Sequence, residues 1–244
     1  MNDLMLLSNS FSPGLGALEH AMDALARLFA GCRDVLFVPY AGSNPDAYTD
    51  AMSEILATLD LRVTGAHRTD DPLGALASSD AVFVGGGNAF RLLRAVQRNG
   101  LLPAIRERAA AGMPYLGVSA GANLACPTIR TTNDMPIVQP ENLQALGLIP
   151  FQVNPHYPDA QRDGEAAGRA RDQRLREFLE ENDVPVLGLC EGSWLEVRDG
   201  TRAGLGGTAG GRLFTRGREP IEVRPGDDLS NLLHIRPGYD APAS

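Results

Sequence analysis

Apolar and polar positions along the chain follow two periods. Short β-branched or apolar runs recur at Leu4 to Leu7, Val35 to Val38, Leu61 to Thr64, Ala81 to Val84, Tyr115 to Val118 and Val186 to Leu189. Runs of this length and composition predict buried strands. Most are separated by segments with helical spacing, as at Leu18, Met22, Leu25 and Phe29, which turns one apolar stripe toward a sheet. The alternation predicts an α/β fold, a mostly parallel sheet with helices on both faces.

From about residue 194 the texture changes to WLEVRDG, RAGLGG, GRLFTRG and EPIEVRPG. Short strands punctuated by glycine turns predict antiparallel hairpins that finish the sheet, with no helix evident. There is no internal repeat and no linker. The expected organisation is a single α/β domain over 1–239, followed by a frayed tail at 240–244.

Composition narrows the function classes. At 244 residues and 43% hydrophobic, the chain can bury a large core. A net charge of -8 opposes an electrostatic footprint on nucleic acid or on an anionic membrane. The start, MNDLMLLSNSFSP, has neither a basic region nor a long apolar run, so no signal peptide or anchor is expected and the cytoplasm is the default. Cys32, Cys126 and Cys190 lie far apart without metal-ligand spacing, which predicts reduced core thiols and no metal site.

In open α/β sheets, functional groups gather beyond the carboxyl ends of the strands. That rule selects Ser8-Asn9, Pro39-Tyr40, His67, Gly85 to Asn88, Ser119-Ala120 and Cys190-Glu191. It therefore adds context to Gly117-Val118-Ser119-Ala120-Gly121, which fits the Gly-x-Ser-x-Gly pattern of a serine held on a strand-to-helix turn. A serine nucleophile needs a base. Of four histidines, His20 lies in a helix, His234 near the tail and His67 in a polar loop, all read as structural, whereas His156 in FQVNPHYPD follows a short strand. Asp134 and Glu191 are both candidates for the carboxylate that orients it. The oxyanion donors expected are the N–H of Ala120 and one from Gly85-Gly86-Gly87, which lacks the third glycine of a dinucleotide site. In the helix read over residues 165 to 181, Ala167, Leu175, Phe178 and Leu179 share one face, and Arg171 projects from its middle. Such a cation either meets a partner there or snorkels to water.

SNS near the start, FVGGGNAF, YLGVSAGANLACPTIRTTNDMPIV, NPH and ARDQRLRE together resemble the peptidase E family of α-aspartyl dipeptidases along nearly the whole chain. The resemblance implies a fold similar to the class I glutamine amidotransferase domain. It also implies serine-type hydrolysis of Asp-X dipeptides without metal or other cofactor, and suggests a homodimer. Ser119 then corresponds to the nucleophile, His156 to the base, and Gly87 and Ala120 to the oxyanion donors. Asp134, placed just ahead of Glu191, is the expected triad acid, while Asn88, Thr131 and Arg171 match positions around the substrate. The family is similar to cyanophycinases, so an isoaspartyl peptidase is the enzymatic alternative and a sensor of acidic metabolites the non-enzymatic one.

Overall fold

The computed structural model of the chain describes residues 3–11 and 14–241. Its larger sheet has seven strands. Five are parallel, in the spatial order β3 (Arg62–Gly65), β2 (Asp34–Val38), β4 (Ala81–Val84), β5 (Tyr115–Val118) and β1 (Leu4–Leu7). The hairpin of β8 (Ser193–Arg198) and β9 (Arg202–Gly207) continues it, with β8 antiparallel to β1. Strands β1, β4 and β5 are buried throughout, as their unbroken apolar sequences require of a sheet covered on both faces.

Side chains alternate between those faces along each strand. Met5, Leu7, Phe37, Phe83 and Leu116 pack under α1 (Met22–Leu28) and α2 (Pro45–Ala57). Leu4, Leu6, Leu36, Val82 and Val84 face α3 (Pro72–Ser78), α4 (Ala89–Arg98), α5 (Leu101–Ala110) and α6 (Ala120–Ala125). Helix starts follow local chemistry. Asn44 and Asp71 accept the N–H of Ala47 and Gly74 and are each followed by a proline, whose fixed φ suits the first helical position.

The C-terminal strands depart from expectation in one respect, because only β8 and β9 finish the large sheet. β10 (Gly211–Phe214) and β11 (Ile221–Val223) build a second, four-stranded sheet in the order β11-β10-β7-β6, with β7 (Val186–Cys190) parallel to β6 (Gln152–Tyr157). An apolar run sets the strand but not its partner. Here Leu187, Leu189 and Val153 face the α4–α6 layer and extend its core, while Val186, Tyr157 and Phe214 face the long helix α8 (Glu165–Glu181). On α8, Leu175 and Leu179 are buried there with Phe178 against them, but Ala167 is exposed, since packing begins only in the later turns.

In the expected tail, Asp240 pairs with Arg130 at 2.6 Å and the Ala241 N–H donates to Glu181 O at 2.8 Å; residues 242–244 lie outside the described residues. Among the described residues no helix is long and apolar enough to cross a membrane.

Candidate active site

Three strand ends converge from the two sheets: β5 delivers Ser119, β6 delivers His156 and β7 delivers Glu191. Ser119 has φ 53° and ψ -109°, a conformation L-residues rarely adopt, and it opens α6 directly. Such strain costs on the order of 1–3 kcal/mol and lifts the side chain off the strand. The two glycines of the pentapeptide make room for the turn. A Cβ on Gly121 would lie 2.2 Å from Val84 O, and one on Gly117 2.5 Å from Gly121 O. Gly121→Ala therefore forces α6 away from β4, with an expected destabilisation of about 3 kcal/mol and a Tm lowered by roughly 6–12 °C in a thermal melt.

His156 owes its position to a β-bulge. The β6–β7 register runs regularly to Pro155 opposite Leu189, then places Tyr157 opposite Cys190, so His156 is the extra residue. It takes φ 54° and turns its ring outward, the re-aiming that bulges provide beside functional sites. Its Nε2 lies 2.8 Å from Ser119 Oγ and its Nδ1 2.8 Å from Glu191 Oε1. With Nδ1–H donating to the carboxylate, Nε2 is left to accept the serine proton. The second oxygen of Glu191, Oε2, meets Arg162 of the short helix α7 (Ala160–Asp163) at 3.2 Å.

Asp134 occupies a different place. Its Oδ2 accepts the Ala89 N–H at 2.7 Å and the Thr132 hydroxyl at 3.1 Å, at the N-terminus of α4. A carboxylate is well placed against those free helix amides. It lines the same cleft as Ser119, His156 and Glu191, a space of about 610 Å³. Gly86 and Gly87 form another wall. The Gly86 N–H donates to Tyr48 Oη at 3.0 Å, and Gly87 has φ 133° with no room for a Cβ beside Ala41 O, so only glycine fits. Among the described residues, neither the Gly87 nor the Ala120 N–H has an acceptor.

The remaining expected site residues are held by protein partners. Asn88 caps α4 through the Arg91 N–H at 3.0 Å and donates to Met135 O at 2.8 Å. Thr131 is buried, and its hydroxyl donates to Val153 O at 3.3 Å. Arg171 is half-buried and donates to Asn154 Oδ1 at 2.8 Å and His156 O at 3.3 Å. Burial lowers its pKa, and no carboxylate among the described residues pairs with it. Asn154 in turn donates to Thr131 O at 2.6 Å and Asn133 Oδ1 at 2.9 Å, so Arg171, Thr131 and the bulge share one network.

The other titratable candidates take structural positions. His67 bonds Asp46 at 3.1 Å, and His20 is partly buried beside Trp194 with its pKa lowered by desolvation. Cys126 and Cys190 are buried, and desolvation pushes both thiols up to about 12. A second cleft of about 590 Å³ lies over the far side of β6 and β7. Among the described residues it contains no nucleophile–base pair, and its Asp172 is already bound by the Tyr157 hydroxyl and by Arg212. Among the described residues no group of three or more His, Cys, Asp and Glu could hold a metal ion.

Two contacts of this site went unpredicted. Arg162 lies in a segment without a recognisable pattern, and nothing local signals that it reaches Glu191. The strand-end rule selects Ser8 but gives it no role.

The geometry can be set beside known proteins. A sequence model of peptidase family S51 matches residues 4–203. The chain is 52% identical to peptidase E of Streptomyces coelicolor over 238 residues, covering 98% of each chain. It is 46% identical to peptidase E of Salmonella typhimurium over 227 residues, 92% of this chain and 98% of that one. The fold is similar to that of a Listeria monocytogenes EGD-e protein described as a peptidase E, with TM-score 0.64, 23% identity and coverage of 92% and 98%. It is likewise similar to a peptidase from an acI-B1 Actinobacterium, with TM-score 0.66, 16% identity and coverage of 94% and 97%. An elbow serine in contact with a histidine, on a chain matched by that family along most of its length, leads to one conclusion: the chain belongs to peptidase family S51.

Proposed function

We propose that this peptidase hydrolyses dipeptides with an unblocked N-terminal aspartate, through an acyl-enzyme on Ser119. The reading rests chiefly on the continuous contact from Ser119 Oγ through the His156 ring to Glu191, at 2.8 Å on each side. In acylation His156 Nε2 takes the hydroxyl proton as Oγ attacks the scissile carbonyl, and Glu191 stabilises the imidazolium. The N–H groups of Gly87 and Ala120 receive the developing oxyanion. Imidazolium then protonates the leaving amine, the C–N bond breaks, and water, deprotonated by the same ring, releases aspartate and restores Ser119.

Substrate recognition follows from the charges left over. Asp134 borders the cleft with only Oδ2 engaged, and we assign its Oδ1 to the substrate's α-ammonium. Arg171, desolvated and without a carboxylate partner among the described residues, is assigned to the aspartate side chain in a two-point contact. Asn88 holds the carbonyl of Met135, the residue after Asp134, and the Thr131 carbonyl accepts from Asn154, which in turn accepts from Arg171. The three free cysteines fit a reducing compartment such as the cytoplasm.

A panel of X-Leu dipeptides, with X as Asp, β-linked Asp, Asn, Glu or Ala, tests the assignment. Asp-Leu should lead by about 10² to 10⁴ in kcat/KM, the effect of leaving two charge-assisted hydrogen bonds unmade. A lead by β-linked Asp would establish the isoaspartyl alternative. Arg171→Met retains the apolar stem and should collapse Asp-Leu hydrolysis toward the slow Ala-Leu rate. Persistence of the Asp preference in the folded variant would assign the side chain to another group.

A further inference from the structure

Three consecutive residues at the end of β1 each touch the surroundings of one reacting residue. Leu7 O accepts the Ser119 N–H at 2.9 Å. The Ser8 hydroxyl accepts the His156 N–H and donates to Leu189 O, both at 2.8 Å. Asn9 Oδ1 accepts the N–H of Gly192, the residue after Glu191, at 2.9 Å. Ser8 is fully buried and Asn9 is 4% exposed, so water is a poor substitute at either.

We propose that Ser8 is the positioning residue of the Ser119–His156–Glu191 triad, an inference that rests on the acyl-enzyme reading above. The physical requirement comes from the bulge. Making His156 the extra residue of β6 removes its N–H from the ladder to β7, and a buried backbone donor without a partner costs on the order of 1–3 kcal/mol. Ser8 supplies the acceptor. Its own proton goes to Leu189, two residues before Glu191, so a single hydroxyl joins the strand of the base to the strand of the acid. Both are thereby tied to β1, which also holds Ser119 from the other sheet. Alanine would release the bulge, and displacement of the ring by about 1 Å costs on the order of 10² in rate.

The test compares Ser8→Ala and Ser8→Cys with wild type, using Asp-Leu turnover and the rate of labelling by a fluorophosphonate, which needs an activated serine but no dipeptide contacts. Ser8→Ala should lower kcat and the labelling rate together, on the order of 10²-fold, with KM nearly unchanged. Ser8→Cys keeps the side-chain shape at a slightly larger volume but pairs weakly, and should lose nearly as much. In a Glu191→Gln background the same Ser8 changes should cost less than about fivefold, because residues acting through one triad are non-additive. Normal labelling in a folded Ser8 variant, or a full additive loss in the Glu191→Gln background, would overturn the proposal. If Ser8→Ala does not fold, the cycle with Ser8→Cys decides. Failure of wild type to label at Ser119 would instead defeat the acyl-enzyme reading itself.

Discussion

Ser119→Ala is expected to abolish Asp-Leu hydrolysis, with kcat falling on the order of 10⁶-fold, about 8 kcal/mol of transition-state stabilisation. The loss should be this large because, among the described residues lining the cleft, only Ser119 has its hydroxyl against a histidine, whereas Ser10 bonds Tyr48. Cys126 lies at the far end of α6, where its thiol accepts the Val153 N–H and is fully buried. Desolvation holds that thiol near pKa 12, so almost no thiolate forms at neutral pH. Folding should survive and even gain a little, since alanine removes only an oxygen from a strained turn. The checks are circular dichroism, a thermal melt and single-turnover assays on the same preparation. Wild-type turnover in a folded Ser119→Ala protein would exclude a serine mechanism.

Glu191→Gln is expected to lower kcat by about 10⁴-fold with little change in KM, a loss of about 5.4 kcal/mol. The amide cannot stabilise imidazolium, and it can donate to Nδ1, leaving the proton on Nε2, where Ser119 needs an acceptor. Asp134→Asn should act differently. It keeps the bonds from Ala89 and Thr132 but loses the charge assigned to the substrate ammonium, so KM should rise by about 10-fold to 10²-fold with a smaller effect on kcat. N-acetyl-Asp-Leu, which carries no ammonium, separates the roles: its slow hydrolysis should be unchanged by Asp134→Asn and removed by Glu191→Gln. A kcat collapse from Asp134→Asn with Glu191→Gln mild would move the triad acid to Asp134.

These two carboxylates mark where the sequence stops being informative. Both follow apolar or polar stretches that end near the sheet, and the chain alone ranks Asp134 slightly first. What brings Glu191 rather than Asp134 to His156 is a strand pairing. Because β7 lies parallel to β6 in register with it, the residue after β7 emerges beside the bulged His156. Asp134 instead meets the first N–H of α4. No local property of VPVLGLCE specifies that its partner is β6 rather than the large sheet.

Local physics was sufficient elsewhere. The apolar runs at Leu4, Val35, Ala81 and Tyr115 had to become buried strands, and proline after Asn44 and Asp71 had to start helices, because these preferences act over a few residues. The elbow was legible for the same reason, since Gly117 and Gly121 are the only residue type that fits against their neighbours. Arg171 is visible in the sequence as a cation on an apolar helix face, but its hold by Asn154 is not. Short-range sterics and burial thus suffice for the strands, the turns and the strained elbow at Ser119. The second sheet, the bulge at His156, the carboxylate that faces it and the Ser8 hydroxyl that joins them each depend on contacts between segments far apart in the chain, which no local pattern encodes.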